Sequence, residues 1–489
     1  MRTLACLAIS TLLLPGAATA GDTAPPLASD TGVKAAVELL DLWVEEQMAH
    51  QDLPAVVLGV VHDQEVVWAR GYGFADRENR VPATPETLFR VGSVTKLFTA
   101  TAILQLRDAG RLGLDDPVAK HLPWFAVESE FGDDGPITLR QLLTHTSGLP
   151  REAAFPYWTE HVFPTREQVR AALPGQKAIY APASKYKYSN LGLSLLGEVV
   201  AAVSGTSWAD YVATHLFQPL GMASSSGDPG AEQLAARAVS YMRRLPDGTR
   251  PIFDYYDTGA IAPAANILSN VDDLLRFAKL QFRTGPAGGP GHPQVVSGAT
   301  LREMHRPHWV YDSWRGGRGL GFGVSRRGGK TIVSHGGWIG GNRTHFLTVP
   351  SEKIAVVAFT NADDGSPGSF SYEAYDVLGP AIRAAVAARS PKPETATGPD
   401  PAWQAYVGTY TDPWHWEYRV LVLDGELVFY EHNYPPEEDA EDALTRLEPV
   451  EGVAHTFKMG DGERVVFEMA EDGTVERIWR RYEYLLPKR

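Results

Sequence analysis

The chain has 489 residues, enough for two or three domains, and its hydrophobic content of 44% is ordinary for globular proteins. Its formal net charge of −14 argues against nucleic acid and anionic membrane surfaces as partners. Cys6 is the only cysteine, so the chain beyond it can form no disulfide and offers no thiolate to a substrate or a metal.

The first twenty residues have the pattern of a secretory signal. Arg2 precedes a short apolar run over 4–14, and Ala18-Thr19-Ala20 matches an A-x-A cleavage site. The run is too short for a membrane-spanning helix, which needs about 20 residues. We therefore expect residues 1–20 to be removed during export to the periplasm or the extracellular space, leaving a polar, flexible leader over 21–32 and no stable membrane span.

The N-terminal half is predicted to contain two strands and several helices. Helical periodicity runs from Val33 to Met48, and two strand-like runs at 55–61 and 66–70 follow as a hairpin. A second helix is predicted to begin at Ser93 and to end near residue 110. Further helices are predicted at 137–143 with Thr138 as its cap, after Asn190, and at 271–282 with Ser269 or Asn270 as its cap.

The pattern changes to strands after residue 297. Short strand-like segments separated by Gly or Pro turns lie at 319–325, 331–334, 342–349 and 353–359, and helical periodicity resumes over 372–388. Because strands flank a mainly helical middle, we predict an α+β domain over 33–390, in which one antiparallel sheet gathers both ends and helices pack on it.

A second domain is predicted at the C-terminus. The Pro-rich segment 391–400 is typical of a linker. Beyond it, Asp-Gly pairs at 424–425, 461–462 and 472–473 separate alternating apolar runs, which is the signature of hairpins. We therefore predict a small antiparallel β barrel over 401–489.

Three stretches carry candidate chemistry. Ser93 and Lys96 are three residues apart at a helix start, so both side chains lie on one face near free backbone N–H groups. Tyr188 and Asn190 flank Ser189 just before a helix. A nearby cationic lysine is expected to lower the pKa of Tyr188, so that Tyr188 can act as a general acid or base. Asn190 can bind an amide or ester group of a substrate.

The third stretch is Ser334-His335-Gly336-Gly337-Trp338, at the end of a predicted strand. Its glycines allow a substrate to approach the backbone closely. A turn that contains His145, at 142–150, lies between the first and second stretches, and we expect this histidine to have a structural role.

These stretches occur in the order seen in serine hydrolases similar to class C β-lactamases. That family includes penicillin-binding DD-peptidases, D-aminopeptidases and β-lactamase-fold esterases, and the resemblance covers residues 33–390. Four motifs in order are far more specific than any single one. The resemblance implies a β-lactamase/transpeptidase-like fold, with an antiparallel sheet, flanking helices and a helical subdomain.

The resemblance also implies residue roles. Ser93 would form an acyl-enzyme, and Lys96 and Tyr188 would share the proton transfers, with the identity of the base left open. The oxyanion hole would consist of the backbone N–H groups of Ser93 and Trp338. No cofactor and no metal are implied. The implied substrate-binding residues are Asn190, His335, Gly337 and Trp338.

Departures from the family pattern bear on the substrate. His335 stands where the family has the lysine of Lys-Thr-Gly, and it is neutral or only partly charged near pH 7. Gly336 lacks the hydroxyl of that motif. Both changes favour a D-peptidase or an esterase over a strong β-lactamase. A weak β-lactamase and a penicillin- or cell-wall-peptide-binding protein with little turnover remain as alternatives. The expected partner is a small-molecule or short-peptide substrate, and the oligomeric state is open.

Overall fold

The computed structural model describes residues 25–285, 293–389, 401–431, 443–481 and 483–488. The predicted signal (1–20), the first part of the predicted leader and the predicted linker (391–400) lie outside the described residues. The chain divides into two compact units, Met1–Ala387 and Ala388–Arg489.

In the first unit, strands at both ends of the sequence flank a mainly helical middle. Its strands are β1 (Ala55–His62), β2 (Glu65–Asp76), β3 (Val81–Pro82), β4 (Phe89–Arg90), β5 (Leu268–Ser269), β6 (Trp309–Val310), β7 (Gly316–Arg318), β8 (Gly323–Arg327), β9 (Lys330–Ile339), β10 (Asn342–Val349) and β11 (Ile354–Thr360). Its α-helices are α1 (Thr31–Gln51), α2 (Thr95–Asp108), α3 (Val118–His121), α4 (Leu139–Leu143), α5 (Tyr157–Glu160), α6 (Arg166–Ala172), α7 (Asn190–Ser204), α8 (Trp208–Val212), α9 (Gln218–Leu220), α10 (Ala231–Ala235), α11 (Ala262–Ala265), α12 (Val271–Leu280), α13 (Gly298–Met304) and α14 (Pro367–Arg389).

One antiparallel sheet gathers strands from both ends of this unit, which confirms the predicted fold class. Its strand order is β3-β2-β1-β11-β10-β9-β8-β7-β6. The predicted hairpin at 55–70 forms the pair β1–β2, and β1 also pairs with β11, so that Val57 lies opposite Phe359. The first and last long strands of the unit are therefore neighbours at the centre of the sheet.

Helices cover both faces of the sheet because successive side chains of β1 and β11 point to opposite sides. Val57 and Val357 belong to the core shared with α2, α7 and α12. Val56 and Val356 belong to a second core shared with α1 and α14. Strands buried on both faces explain the almost unbroken apolar runs of β1 and β11.

Side-chain caps define where several helices begin. Thr138 forms a capping box with Gln141 at the start of α4, and Asn270 caps α12, as predicted. The Ser189 hydroxyl accepts a hydrogen bond from the backbone N–H of Gly192 at 2.9 Å, so α7 begins at Asn190. This cap leaves Tyr188 outside the helix, two residues before its first residue.

The predicted strand over 319–325 is wrong in its first half. Strand β8 begins only at Gly323. Gly321 has φ +85°, and a side chain at Gly319 would meet the carbonyl oxygen of Met304 at 2.1 Å. Residues 319–322 therefore form a tight loop against α13 rather than extended chain.

The second unit is a closed antiparallel barrel, as predicted. Tyr410 lies opposite Pro487, so the first strand pairs with the last and closes the ring. The Asp424-Gly425 turn has positive φ at both residues, as a two-residue hairpin requires. The barrel strands are β12 (Gly408–Thr411), β13 (Glu417–Leu423), β14 (Glu426–Glu431), β15 (Leu444–Pro449), β16 (Thr456–Lys458), β17 (Arg464–Met469), β18 (Val475–Arg480) and β19 (Glu483–Pro487).

Within the described ranges, no single helix has the length and hydropathy needed to cross a bilayer. Helix α7 and the segment Trp208–Leu220 together have the length and composition of a membrane span, but only as a bent pair. Most residues of α7 are buried in the core of the first unit, which accounts for their apolar character.

Candidate active site

The Ser93 turn stands at the N-terminal end of α2. Ser93 lies in a 3₁₀ turn over Gly92–Val94, and the α-helix begins two residues later at Thr95. Every residue of α2 from Thr95 to Leu104 is buried. The turn is thus carried by a helix that the surrounding core holds in place.

The Ser93 hydroxyl is the meeting point of the predicted catalytic residues. Lys96 Nζ lies 3.0 Å from Ser93 Oγ. The Tyr188 hydroxyl donates a hydrogen bond to the same oxygen at 2.8 Å. Residues 95 positions apart in the sequence therefore contact one another at a single side chain.

Lys96 is fully buried, with 0% of its surface exposed. Its Nζ donates to the carbonyl oxygen of Ala264 at 2.8 Å. Burial lowers the pKa of Lys96 well below its usual value; Glu152 opposes this shift, whereas Arg151 and Arg318 add to it. A neutral amine beside Ser93 can accept the hydroxyl proton.

Tyr188 behaves differently from the sequence-based expectation. Burial raises its pKa to about 12, although the hydrogen bond with Ser93 and the charges of Arg318 and Arg151 act in the opposite direction. The expected lowering is wrong because the loss of water around the phenol outweighs the neighbouring cations. Tyr188 is therefore a protonated donor at neutral pH. The ring of His145 packs 4.4 Å from the Tyr188 ring, centroid to centroid.

His145 supports the segment that carries Tyr188. It is buried, and its Nδ1 accepts a hydrogen bond from the backbone N–H of Ser189 at 3.1 Å. Its backbone has φ +59°, within the turn that ends α4. These contacts fit the structural role expected for this histidine.

Asn190 presents a hydrogen-bond acceptor to the site. Its Nδ2 donates to the Glu152 carboxylate at 2.8 Å, and the Tyr157 hydroxyl donates to the other oxygen of that carboxylate. Because a carboxylate only accepts, it fixes the orientation of the amide. The buried Asn190 Oδ1 has no partner among the described residues, and Asn190 makes no hydrogen bond to Lys96 there. No sequence motif pointed to Glu152.

His335 lies on β9 and is a second acceptor. Its Nδ1 donates to the carbonyl oxygen of Gly336 at 2.7 Å, which leaves Nε2 unprotonated in the neutral ring. Nε2 is buried and has no partner in the described part of the chain. Burial, with the charge of Arg318, lowers the pKa of His335 well below its usual value. His335 therefore offers a lone pair rather than a positive charge.

Two glycines let β9 lie directly against the Ser93 turn. A Cβ at Gly92, which has φ +53°, would stand 2.6 Å from the backbone nitrogen of Trp338. A Cβ at Gly337 would stand 2.0 Å from the carbonyl oxygen of Val91. The backbone of Trp338 thus adjoins the Ser93 turn, and its indole donates to Asp363.

Substituting Gly337 with alanine is expected to lower the free energy of unfolding by about 1–3 kcal/mol, because the methyl group forces β9 away from Val91. We also expect hydrolysis to fall, since the same shift moves Trp338 from the Ser93 turn. Thermal unfolding and initial rates measure the two effects.

Gly336 is the matched control for this substitution. A Cβ there would have its nearest neighbours at 4.0 Å, an ordinary contact distance. Gly336→Ala should therefore unfold at the wild-type temperature. Equal melting temperatures for all three proteins would contradict the close-approach explanation.

A cavity of about 790 Å³ opens above Ser93. Four arginines line it: Arg151, Arg315, Arg318 and Arg343. No aspartate or glutamate of the described residues lines it. None of these arginines stood out in the sequence, because none belongs to a motif. In the same described ranges, no three metal-ligating side chains are grouped to hold an ion. The predicted residues that line the cavity are Ser93, Tyr188, Asn190, His335, Gly337 and Trp338.

A protein-family model described as Beta-lactamase matches residues 40–378. Among curated proteins, Protein flp of Staphylococcus aureus strain MW2 is 29% identical over 245 residues, which cover 50% of this chain and 48% of that protein. The chain thus spans about half the length of the first curated relatives that it matches.

Solved structures share the fold. The octameric penicillin-binding protein homologue from Pyrococcus abyssi has a TM-score of 0.61 at 24% identity, covering 92% of this chain and 99% of that chain. The D-stereospecific amidohydrolase from Streptomyces sp. has a TM-score of 0.56 at 23% identity, covering 70% of this chain and 97% of that chain. At such identities the likeness establishes the fold alone.

Proposed function

The chain belongs to the beta-lactamase family of serine hydrolases, and from that premise we propose that it is an exported enzyme that hydrolyses small amides or esters through an acyl-enzyme on Ser93. One observation carries the proposal. Ser93 Oγ lies 3.0 Å from the buried amine of Lys96 and 2.8 Å from the phenol of Tyr188. An alcohol in contact with both a base and an acid is equipped for nucleophilic catalysis.

In the proposed acylation step, Ser93 Oγ attacks the substrate carbonyl carbon while its proton passes to Lys96 Nζ. The backbone N–H groups of Ser93 and Trp338 stabilise the oxyanion that forms. The bond to the leaving group then breaks. The leaving amine or alkoxide takes the proton of Tyr188, which is replaced by the proton held on Lys96.

Deacylation reverses these transfers with water as the nucleophile. Lys96, neutral again, accepts a proton from water directly or through Tyr188. The hydroxide attacks the acyl carbon, and Ser93 leaves with a proton returned from Lys96. Their pKa shifts, downward for the amine and upward for the phenol, support the proposed roles of Lys96 as base and Tyr188 as acid.

Two unpartnered acceptors favour amides among the possible substrates. Asn190 Oδ1 and His335 Nε2 are buried polar atoms without partners among the described residues, and both residues line the cavity. An amide N–H of a bound substrate would satisfy such an atom, whereas an ester oxygen has no proton to donate. An amide preference agrees with the Streptomyces neighbour, which is a D-stereospecific amidohydrolase.

Intact-protein mass spectrometry tests the proposal. During turnover of a slow ester such as p-nitrophenyl butyrate, we expect a transient mass increase of one butyryl group, located on the peptide that contains Ser93. Hydrolysis without any adduct on that peptide under rapid quenching would contradict an acyl-enzyme. A stable adduct without turnover would instead support the binding protein.

A substrate panel identifies the preferred class. p-Nitrophenyl esters, D-alanine p-nitroanilide and nitrocefin can be compared on one plate at equal enzyme concentration. We expect the anilide and the esters to turn over and nitrocefin to be the poorest, since neutral His335 supplies no charge for a β-lactam carboxylate. Nitrocefin as the best substrate would establish a β-lactamase instead.

A further inference from the structure

A second cavity, of about 220 Å³, adjoins α11 in the first unit. Ala265 lines the active-site cavity, whereas Pro263 and Asn266 line the second cavity, and no residue lines both. Between them, the carbonyl oxygen of Ala264 accepts a hydrogen bond from Lys96. The second cavity is therefore a separate space that shares one chain segment with the wall of the active site.

Asn266 brings an unpartnered hydrogen-bond acceptor to the second cavity. The residue is 4% exposed, and its Nδ2 donates to the carbonyl oxygen of Gly227 at 3.0 Å. Because a carbonyl oxygen only accepts, this bond fixes the orientation of the amide. Asn266 Oδ1 has no partner among the described residues, and both Asn266 and Gly227 line the cavity. A buried acceptor is costly when unpaired, so a ligand that suits this cavity carries a donor.

Carboxylates outnumber cations around the second cavity. Glu198, Asp228 and Asp257 line it together with one arginine, Arg166. Arg166 is paired with Glu198, with 2.8 Å between Nη2 and Oε2. Asp228 and Asp257 are exposed and form no ion pair within the described part of the chain, although Arg90 attracts Asp257 through space. Uncompensated negative charge thus remains where the cavity meets solvent, which favours a cation.

Trp208 provides a fixed aromatic wall. Its side chain is buried, and its indole N–H donates to the Thr99 hydroxyl at 2.9 Å. That hydroxyl in turn donates to the carbonyl oxygen of Pro263 at 2.6 Å. Because Thr99 belongs to the buried helix α2, both wall residues are held by the core. A tryptophan ring attracts cations over its face, and a preformed wall reduces the entropy lost on binding.

The size of the second cavity suits a small organic ion. Its volume of about 220 Å³ exceeds several times the ~30 Å³ that one water molecule takes up in the liquid. Among the residues that the structure describes, no three metal-ligating side chains are grouped to hold a metal ion. The cation that fits these walls is therefore one that brings its own hydrogen-bond donors and an apolar part.

We propose that the second cavity binds a primary alkylammonium ion. Such an ion has three N–H donors for Asn266 Oδ1 and its surroundings, a charge that Asp228 and Asp257 offset, and an alkyl chain that packs against Trp208. A free amine and a lysine side chain of a peptide both present this group. The inference is independent of the proposed function, because binding is measured without turnover.

Thermal unfolding of the full-length protein tests the proposal. n-Butylammonium chloride is titrated at an ionic strength held constant with sodium chloride, and n-butanol is the neutral control of the same shape. We expect a saturable rise in melting temperature with butylammonium and no rise with butanol. Nα-Acetyl-lysine amide is titrated in parallel. A response to butylammonium alone identifies a free amine as the ligand, and a response to the lysine derivative identifies a peptide lysine as a further source.

Removing the two exposed carboxylates should weaken binding. We expect Asp228→Asn with Asp257→Asn to lower the affinity for butylammonium at least about fivefold. Asparagine retains the oxygen with which residue 257 accepts from the backbone N–H of Gly259. Asp247→Asn with Asp254→Asn is the matched control, because both residues are exposed and neither lines this cavity. The control should keep the affinity within about twofold.

Asn266→Leu removes the unpartnered acceptor at nearly constant volume, and it should also lower the affinity at least about fivefold. If this variant does not fold, the paired aspartate variants decide the test. The absence of any saturable rise in the wild type, or a rise that survives undiminished in the Asp228 and Asp257 double variant, would overturn the site.

Fluorophosphonate labelling of Ser93 in the same preparations reports the nucleophile separately. Labelled protein that binds no ammonium ion would leave the hydrolase standing and remove the second site. Protein that binds butylammonium saturably but neither labels nor hydrolyses an ester would keep the second site and overturn the proposed function instead.

Discussion

Ser93→Ala is expected to abolish covalent labelling by a fluorophosphonate and to lower ester hydrolysis by at least ~10³-fold. The substitution removes the oxygen that both Lys96 and Tyr188 contact, so neither proton transfer has a partner. Binding and oxyanion stabilisation remain, which accounts for any residual rate. In-gel fluorescence and initial rates on the same preparations give the two measurements.

Ser325→Ala is the control for this substitution. Ser325 lines the same cavity on β8 but takes no part in the contacts around Ser93. It should label and hydrolyse as the wild type does. Equal labelling of Ser93→Ala and wild type would show that a different residue is the nucleophile.

Lys96→Met should have opposite effects on activity and stability. We expect hydrolysis to fall by at least ~10³-fold, because the proposed base is lost. We expect the free energy of unfolding at neutral pH to rise by about 1 kcal/mol or more, since a buried amine is replaced by an apolar chain of similar length. The lost hydrogen bonds to Ser93 and Ala264 reduce this gain.

The pH dependence of that stability gain has a definite sign. Burial lowers the pKa of Lys96 in the folded protein below its unfolded value near 10.5. Between the two values the unfolded chain binds more protons, so lowering the pH destabilises the wild type relative to the variant. The advantage of Lys96→Met should therefore be smallest above pH 10.5 and should grow as the pH falls, until it levels off below the folded pKa.

Urea unfolding at several pH values, with Lys34→Met beside it, measures this effect. Lys34 is exposed on α1, so its substitution should give no comparable pH-dependent gain. A Lys96→Met variant that is less stable than the wild type at every pH would mean that the amine is bound as a stabilised cation. The role of Lys96 as a neutral base would then be lost.

The parts of the fold that follow from local pattern were predictable. Thr138 and Asn270 signal helix starts, and Asp424-Gly425 signals a hairpin, because caps and tight turns depend on residues close in sequence. Strands β6 and β7 carry no such signal: they are two and three residues long, and β7 contains Gly316 and Gly317. Their pairing depends on neighbours in the sheet rather than on their own residue types.

The same division applies to the site. Ser93, Lys96, Tyr188 and His335 belong to motifs, so their convergence was implied by the family resemblance that those motifs carry. The direction of the Tyr188 pKa shift was not predicted correctly, because it depends on how completely the folded chain excludes water around the phenol. Arg318 and Glu152 also went unnoticed, since a lone charged residue in a sequence is more often a solvated surface side chain.

The pairing of β1 with β11 has a consequence for how the protein matures. These strands lie about 300 residues apart in the chain, yet each forms the centre of the sheet with the other. The turn at Gly92 also packs against the backbone of β9, which comes late in the chain. Such distant contacts form slowly. An emerging polypeptide that has not yet reached Thr360 therefore lacks the strand that pairs with β1, and we expect the contacts around Ser93 to assemble only after synthesis of this unit is complete.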